Sequence, residues 1–453
     1  MLLQHSSAGS TCPVKKQEPR FEVRSADWLT LKQAQEVILS SAQPLLSEEL
    51  PVQACLGRSL SQDLVARATL PPWDNSAMDG YAVRGEEISN AGPSTPVVLS
   101  VTGVVHAGDL PGSSVGEGEA IRIMTGAPIP PGADSVIRVE DTDSEQTPGI
   151  VSVFKNRDER RNIRPAGQDM QLGDQVLVAG TTVTSTTVGL LAALGMENVP
   201  VVKQPSVGIL PTGDELRTPD RYEDVQRGEG IPESNGPMLA AAVTGASAMP
   251  LPLGIATDDP ETLRERISKA TDADVLITIG GASMGEADLV KEILEEFGFE
   301  QDFWRVRMRP GSPFGFGRLP RGDTYQPVFS LPGNPTSAFV TFELFVRPFL
   351  LAIGGHKRIF RRTLRCQAAE PLKGPGELSH FLRVWLDSST VPPKAHITGP
   401  QGSGLITTLA DAEGLAVVSE NQTEIAEGDS VDVILLADTP GAETYTKSDF
   451  STG

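Results

Sequence analysis

Residues 274–297, DVLITIGGASMGEADLVKEILEEF, constrain the fold more than any other stretch. Val275, Leu276, Ile277 and Ile279 form a nearly continuous apolar run, the pattern of a strand buried on both faces of a parallel sheet. Gly280, Gly281, Ser283 and Gly285 follow, and then Leu289, Val290, Ile293 and Leu294 recur at helical spacing until Gly298 ends the helix. A strand, a small-residue loop and a helix start turn several backbone N–H groups toward one point, which suits an anion. The same loop carries Glu286 and Asp288, and carboxylates beside an anion repel it unless a divalent cation bridges the two. The plainer alternative is that both acids only favour the helix dipole.

The same alternation runs on both sides of this stretch. The pattern predicts strands at 207–211, 249–255, 275–279 and 327–331, with helices at 235–245, 260–270, 286–297 and 336–351. Such alternation implies βαβ units and a parallel sheet, whose ligands sit beyond the carboxyl ends of the strands. TGDEL at 212–216, TDD at 257–259, GGASMGEAD at 280–288 and PGNPTS at 332–337 should therefore gather on one rim. Asp214, Glu215, Asp258 and Asp288 are hard oxygen ligands, suited to Mg²⁺ beside a phosphorylated substrate, although each taken singly reads as a cap or a solvated charge. Between the rim loops, Arg305, Arg307 and Arg309 stand two apart, so an extended backbone would put them on one side of a groove. A charged edge strand that blocks aggregation is the competing reading of that run.

The flanks are organised differently. Residues 1–26 read as a disordered tail, and 441–453 as another. Thr30 and Gln33 have capping-box spacing at the head of a helix. PPWDNSAMDGYAVR at 71–84 reads as a surface loop, and 97–105, 120–124, 135–140 and 150–154 as strands of a small β domain. A helix is predicted at 188–195, and 381–386, 414–418 and 430–436 read as strands of a small barrel or sandwich. A net charge of −21 argues against non-specific binding to nucleic acid or to an anionic membrane. Cys12, Cys55 and Cys366 form no metal pattern, no stretch reaches bilayer length, and no signal peptide opens the chain; the expectation is a soluble, cytoplasmic protein. The five histidines sit in no catalytic or zinc-binding context.

PPWDNSAMDGYAVR, IRIMTGAPIP, NIRPAGQD, PTGDEL, GGASMGEAD, RPGSPFGFG and LPGNPTSA occur in the order seen in molybdopterin molybdenumtransferases. The chain resembles the MoeA type, to which the gephyrin E domain is also similar, over roughly residues 27–440. The resemblance implies a multidomain α/β plus β fold. A MogA-like doubly wound α/β domain would occupy 204–353 and a C-terminal β barrel 354–440. A segmented linker domain would span 27–84 and 166–203, with a small β domain inserted at 85–165. It also implies an elongated homodimer with the active site at the subunit interface. The reaction implied is insertion of molybdate into adenylylated molybdopterin with release of AMP, assisted by Mg²⁺. A molybdopterin adenylyltransferase is a possible partner as well as a rival assignment, and a non-catalytic scaffold is the rival of a different class.

Carried over motif by motif, Asp258, Asp288 and Glu215 are the implied acids of cation handling and catalysis. Ser283, Arg309 and Ser337, with Gly281, Arg305, Pro310, Ser312, Pro332, Gly333, Asn334 and Pro335 in the same loops, are the implied substrate and oxyanion residues. Asp79, Thr125 and Asp169 are the implied contributions of the second subunit, and Arg383 and Ser403 those of the barrel. Many members carry lysines where this chain has Arg305 and Arg309, and a lysine or bulkier residue at Ser312. A planar guanidinium fork in place of a point charge alters how an oxyanion is held.

Overall fold

The computed structural model describes residues 28–110, 112–280 and 289–436. They form two compact units, Glu49–Val201 and the chain on either side of it.

The inner unit carries a five-stranded sheet in the order Ser135–Arg138, Gly80–Val83, Glu119–Ile123, Val97–Val105, Ile150–Val153. Only the pairing of 97–105 with 119–123 is parallel. Residues 80–83 correct the sequence reading, which left them in a surface loop. Tyr81, Ala82 and Val83 are wholly buried, and their apolar bulk makes the end of that loop an interior strand. A separate core joins Leu60, Leu64, Leu191, Val199 and Val201, with the helix Ser185–Ala193 alongside.

The outer unit is built on a six-stranded sheet. In chain order its elements are β1 (Ser206–Pro211), α1 (Asn235–Gly245), β2 (Met249–Pro252), α2 (Pro260–Ala270), β3 (Val275–Ile279), α3 (Leu289–Glu296), β4 (Glu300–Trp304), β5 (Gly315–Arg321), β6 (Thr324–Leu331) and a final helix α4 (Pro335–Ile353). The spatial order is β2-β1-β3-β6-β5-β4. β2, β1, β3 and β6 are parallel, as the alternation predicts. The sheet is not wholly parallel, however: β5 and β4 add an antiparallel edge. Val207, Ile209, Val275, Ile277, Phe316 and Phe329 pack with α1 and α4 on one face, while Leu210, Leu276 and Val328 meet α2 and α3 on the other. α4 passes through a π turn at Phe342–Val346 and is apolar enough along its 19 residues to cross a bilayer, contrary to the expectation of no such stretch. It is nevertheless a core helix, with Phe342, Phe345 and Phe349 buried among the sheet's aromatic rings.

The helix Leu31–Ser40 has the predicted capping box, the Thr30 hydroxyl accepting from the Gln33 N–H and Gln33 Oε1 from the Thr30 N–H. Ala34 and Ile38 place it on the same core. The C-terminal strands close into a five-stranded barrel, each bonded to the next in the order Ser379–Asp387, Lys394–Ile397, Thr363–Ala368, Ser430–Leu435, Gly414–Val418 and back to 379–387. Met308–Arg309 pairs in parallel with Ser379–His380, and Phe381, Leu415 and Leu436 belong to the apolar cluster of the six-stranded sheet. The α/β and barrel parts therefore share one core.

Candidate active site

The carboxyl ends of β1, β3 and β6 open onto a cleft of about 790 Å³ lined by Thr212, Glu215, Glu233, Asn235, Asp258, Gly280, Pro313, Pro332, Gly333 and Asn334, among others. All four loops that the alternation predicts to converge contribute to its walls, the 280–288 loop through Gly280 among the described residues. The floor is tight. The Thr212 N–H and hydroxyl both donate to the Ile279 carbonyl, and Gly280 turns with φ +100°. A Cβ on Gly280 would lie 2.8 Å from the Thr212 carbonyl oxygen, so no other residue fits there without shifting backbone. Asn334 caps α4 without spending its side chain on a cap bond.

Asp214 orients Asp258, its Oδ1 accepting the Asp258 N–H at 3.0 Å. Desolvation at the cleft's lip, and then the Asp214 and Glu215 carboxylates, push the Asp258 carboxyl above its ordinary value. Mutual repulsion of this kind is what a bound cation relieves. Among the described residues no group of three acidic, His or Cys side chains forms a ready metal cage. A magnesium ion held by one or two carboxylates and completed by substrate phosphates fits that donor set; an all-protein cage does not. Burial also raises Glu233, against the pull of the Gly236 and Asn235 N–H groups.

The arginine run departs from its expected common role. Val306 and Met308 are buried and Arg305, Arg307 and Arg309 lie outward, as alternation requires. Arg305, at φ +80°, sets its guanidinium over the Trp28 ring, and Arg307 reaches Glu420 at 3.5 Å. Among the described residues no ion pair engages Arg309. The Ser312 hydroxyl is turned inward to the Met308 carbonyl, closing the turn that holds Pro310.

Behind α4, the barrel clasps the rim. The Thr336 N–H donates to the Ser403 carbonyl at 3.0 Å. Arg383, fully buried, holds that loop by donating from Nε to Thr408 Oγ1 and from Nη2 to the Pro400 and Gly402 carbonyls, while its buried Nη1 has no partner among the described residues. His380 sits at the joint, its ring nitrogen 3.0 Å from the Lys373 carbonyl. Burial first, and the Arg309 and Arg383 cations as well, press it below its usual value. Ser337 is buried in the first turn of α4.

In the inner unit, Asp79 Oδ1 accepts both the N–H and the hydroxyl of Thr125, at 2.7 and 2.8 Å, and these bonds hold the carboxyl below its ordinary value. Two residues 46 apart in sequence are thereby joined. Asp169 is exposed, and its N–H donates to the Leu70 carbonyl. Gly281, Ser283, Glu286 and Asp288 lie outside the described residues. Sequence reasoning missed Glu233, Asn235 and Pro313 on the cleft wall; the ESN sequence at the start of α1 was the available signal for two of them.

Comparison with known families defines the class. Residues 29–195 match the MoeA N-terminal region (domains I and II), 208–352 a probable molybdopterin binding domain, and 365–436 the MoeA C-terminal region (domain IV). Molybdopterin molybdenumtransferase 2 of Mycobacterium tuberculosis is 35% identical over 412 residues, covering 89% of this chain and 98% of its own. A molybdopterin molybdenumtransferase of Nostoc is 34% identical over 86% of this chain and 89% of its own. The crystal structure of the molybdopterin biosynthesis moeA protein from Pyrococcus horikoshii superposes with a TM-score of 0.77 at 27% identity, covering 90% of this chain and all of that one. The chain belongs to the MoeA family.

Proposed function

We propose that the chain is a molybdopterin molybdenumtransferase, inserting molybdate into adenylylated molybdopterin with release of AMP. The observation that carries this reading is the acidic cleft itself. Glu215 and Asp258 face Gly280, Gly333 and Asn334 across it, in a chain alike over nearly its whole length to enzymes of that name. Glu215 and Asp258, with Asp288 of the neighbouring loop, would hold Mg²⁺. That ion would screen the carboxylates from the substrate's phosphates and stabilise the charge that builds on the leaving AMP. Asp214 keeps Asp258 in place through its N–H. Backbone around Gly280 and Gly333, with Ser283 and Ser337, would seat the pterin phosphate, and Arg309 supplies a cation for an oxyanion. Water opens the phosphoanhydride and AMP leaves, while the two dithiolene sulfurs bind molybdenum as one molybdate oxygen departs as water carrying the two thiol protons.

The working assembly in this proposal is a homodimer, each cleft completed by Asp79, Thr125 and Asp169 of the second subunit. An adenylyltransferase must supply the adenylylated substrate. Buried, unpaired Cys55 and Cys366 suit a reducing cytoplasm. The test is AMP release from adenylylated molybdopterin with Mg²⁺, with and without molybdate, for wild type and Asp258→Asn. Molybdate-dependent release, slowed on the order of 100-fold by the substitution, supports the assignment. A folded wild type that releases no AMP would sink it.

A further inference from the structure

The two walls of the cleft are joined by a chain of bonds. The Ile231 N–H donates to the Glu215 carbonyl at 2.8 Å, and Leu216–Arg217 pairs in parallel with Ile231–Pro232. The Glu233 N–H then donates to the Arg217 carbonyl, and Glu233 Oε1 accepts the Gly236 N–H, capping α1 where Ser234 does not. Asn235, 8% exposed, completes the path: its Nδ2 donates to the Gly333 carbonyl at 2.7 Å. A carbonyl only accepts, so the donating end of the amide must face Gly333. The consequence is unusual. Asn235 Oδ1 is left buried with no donor among the described residues. A buried acceptor without a partner is unfavourable, and a residue serving only to fill space would avoid it. The position therefore demands the donor.

From this we infer that Asn235 is a positioning residue for the reaction, a strut that fixes the Pro332–Gly333–Asn334 loop against the Glu215 loop. The inference rests on the functional reading above. A loop displaced by an ångström costs far more in turnover than in binding, since the ground state tolerates looseness that the transition state does not. Asn235→Ala should lower kcat for AMP release about 100-fold with KM changed less than about fivefold. Asn235→Asp gives the sharper readout. Its ionised carboxylate faces the Gly333 carbonyl and cannot donate, whereas the protonated acid can. The ratio of its kcat to that of wild type should therefore rise as pH is lowered from 8 to 5.5. A role in folding alone would leave that ratio flat, and a flat ratio overturns the inference even if Asn235→Ala fails to fold. Wild-type release with both variants fully active overturns it too, while wild type releasing no AMP brings down the functional reading and this inference together.

Discussion

Asp258, Arg383 and His380 use charge in three different ways. Asp258 is held beside like charges at the lip of a cleft, an arrangement with no structural benefit of its own, and its value lies in what it binds. Arg383 is the reverse. It is buried, its guanidinium bonds Thr408, Pro400 and Gly402, and Arg383→Met should cost about 3 kcal/mol by removing those charge-assisted bonds. A lowered melting temperature, together with weaker substrate binding through the loosened Ser403 loop, would bear out the loss of those guanidinium bonds. His380 makes stability depend on pH. Its folded value is depressed, so the unfolded chain takes up the proton first, and the stability present above the unfolded value of about 6.5 is lost as pH falls below it. Melting between pH 7.5 and 5.5 should show that loss, and His380→Gln should flatten it. His380 could not be singled out from the chain alone, because Arg309, 71 positions away, meets it only in three dimensions and its burial is set by the fold.

At the scale of elements, the floor of the cleft depends on Gly280. Gly280→Ala must place a methyl against the Thr212 carbonyl at a φ that side chains disfavour, and should cost about 2 kcal/mol and most of the activity. Equal melting and turnover in the variant would refute this. The parallel core was legible because β1 and β3 are apolar runs ending in rim loops rich in glycine and small polar residues. β4 and β5 were not, for a physical reason. Their buried Phe303 and Phe316, with Phe314 just before β5, are interspersed with arginines and glycines, so neither period stands out. Gly315 is there because the Trp304 ring lies 2.4 Å from where its Cβ would be. Arg318 on β5 pairs with Asp302 of the edge strand β4 and sits over the Tyr325 ring. Asn235 was illegible for another reason: helix α1 was predicted to the residue, but the partner of its first side chain is 98 positions away.

For the whole molecule, the proposed shared site requires two copies. Light scattering should give twice the mass of one chain at working concentrations, and mixing subunits bearing Asp258→Asn with subunits bearing Asp79→Asn should restore part of the activity that each variant lacks alone. A monomer with full turnover would defeat that model.

The union of the α/β part and the barrel in one apolar cluster has an evolutionary corollary. A gene cut between residues 353 and 363 would not yield a free-standing α/β module, since removing Phe381, Leu415 and Leu436 would leave a greasy scar on the apolar cluster they share with the sheet and α4. The lineage can lengthen the barrel's loops or recolour its outer face, but it cannot shed the barrel without first rebuilding the helix that the barrel covers.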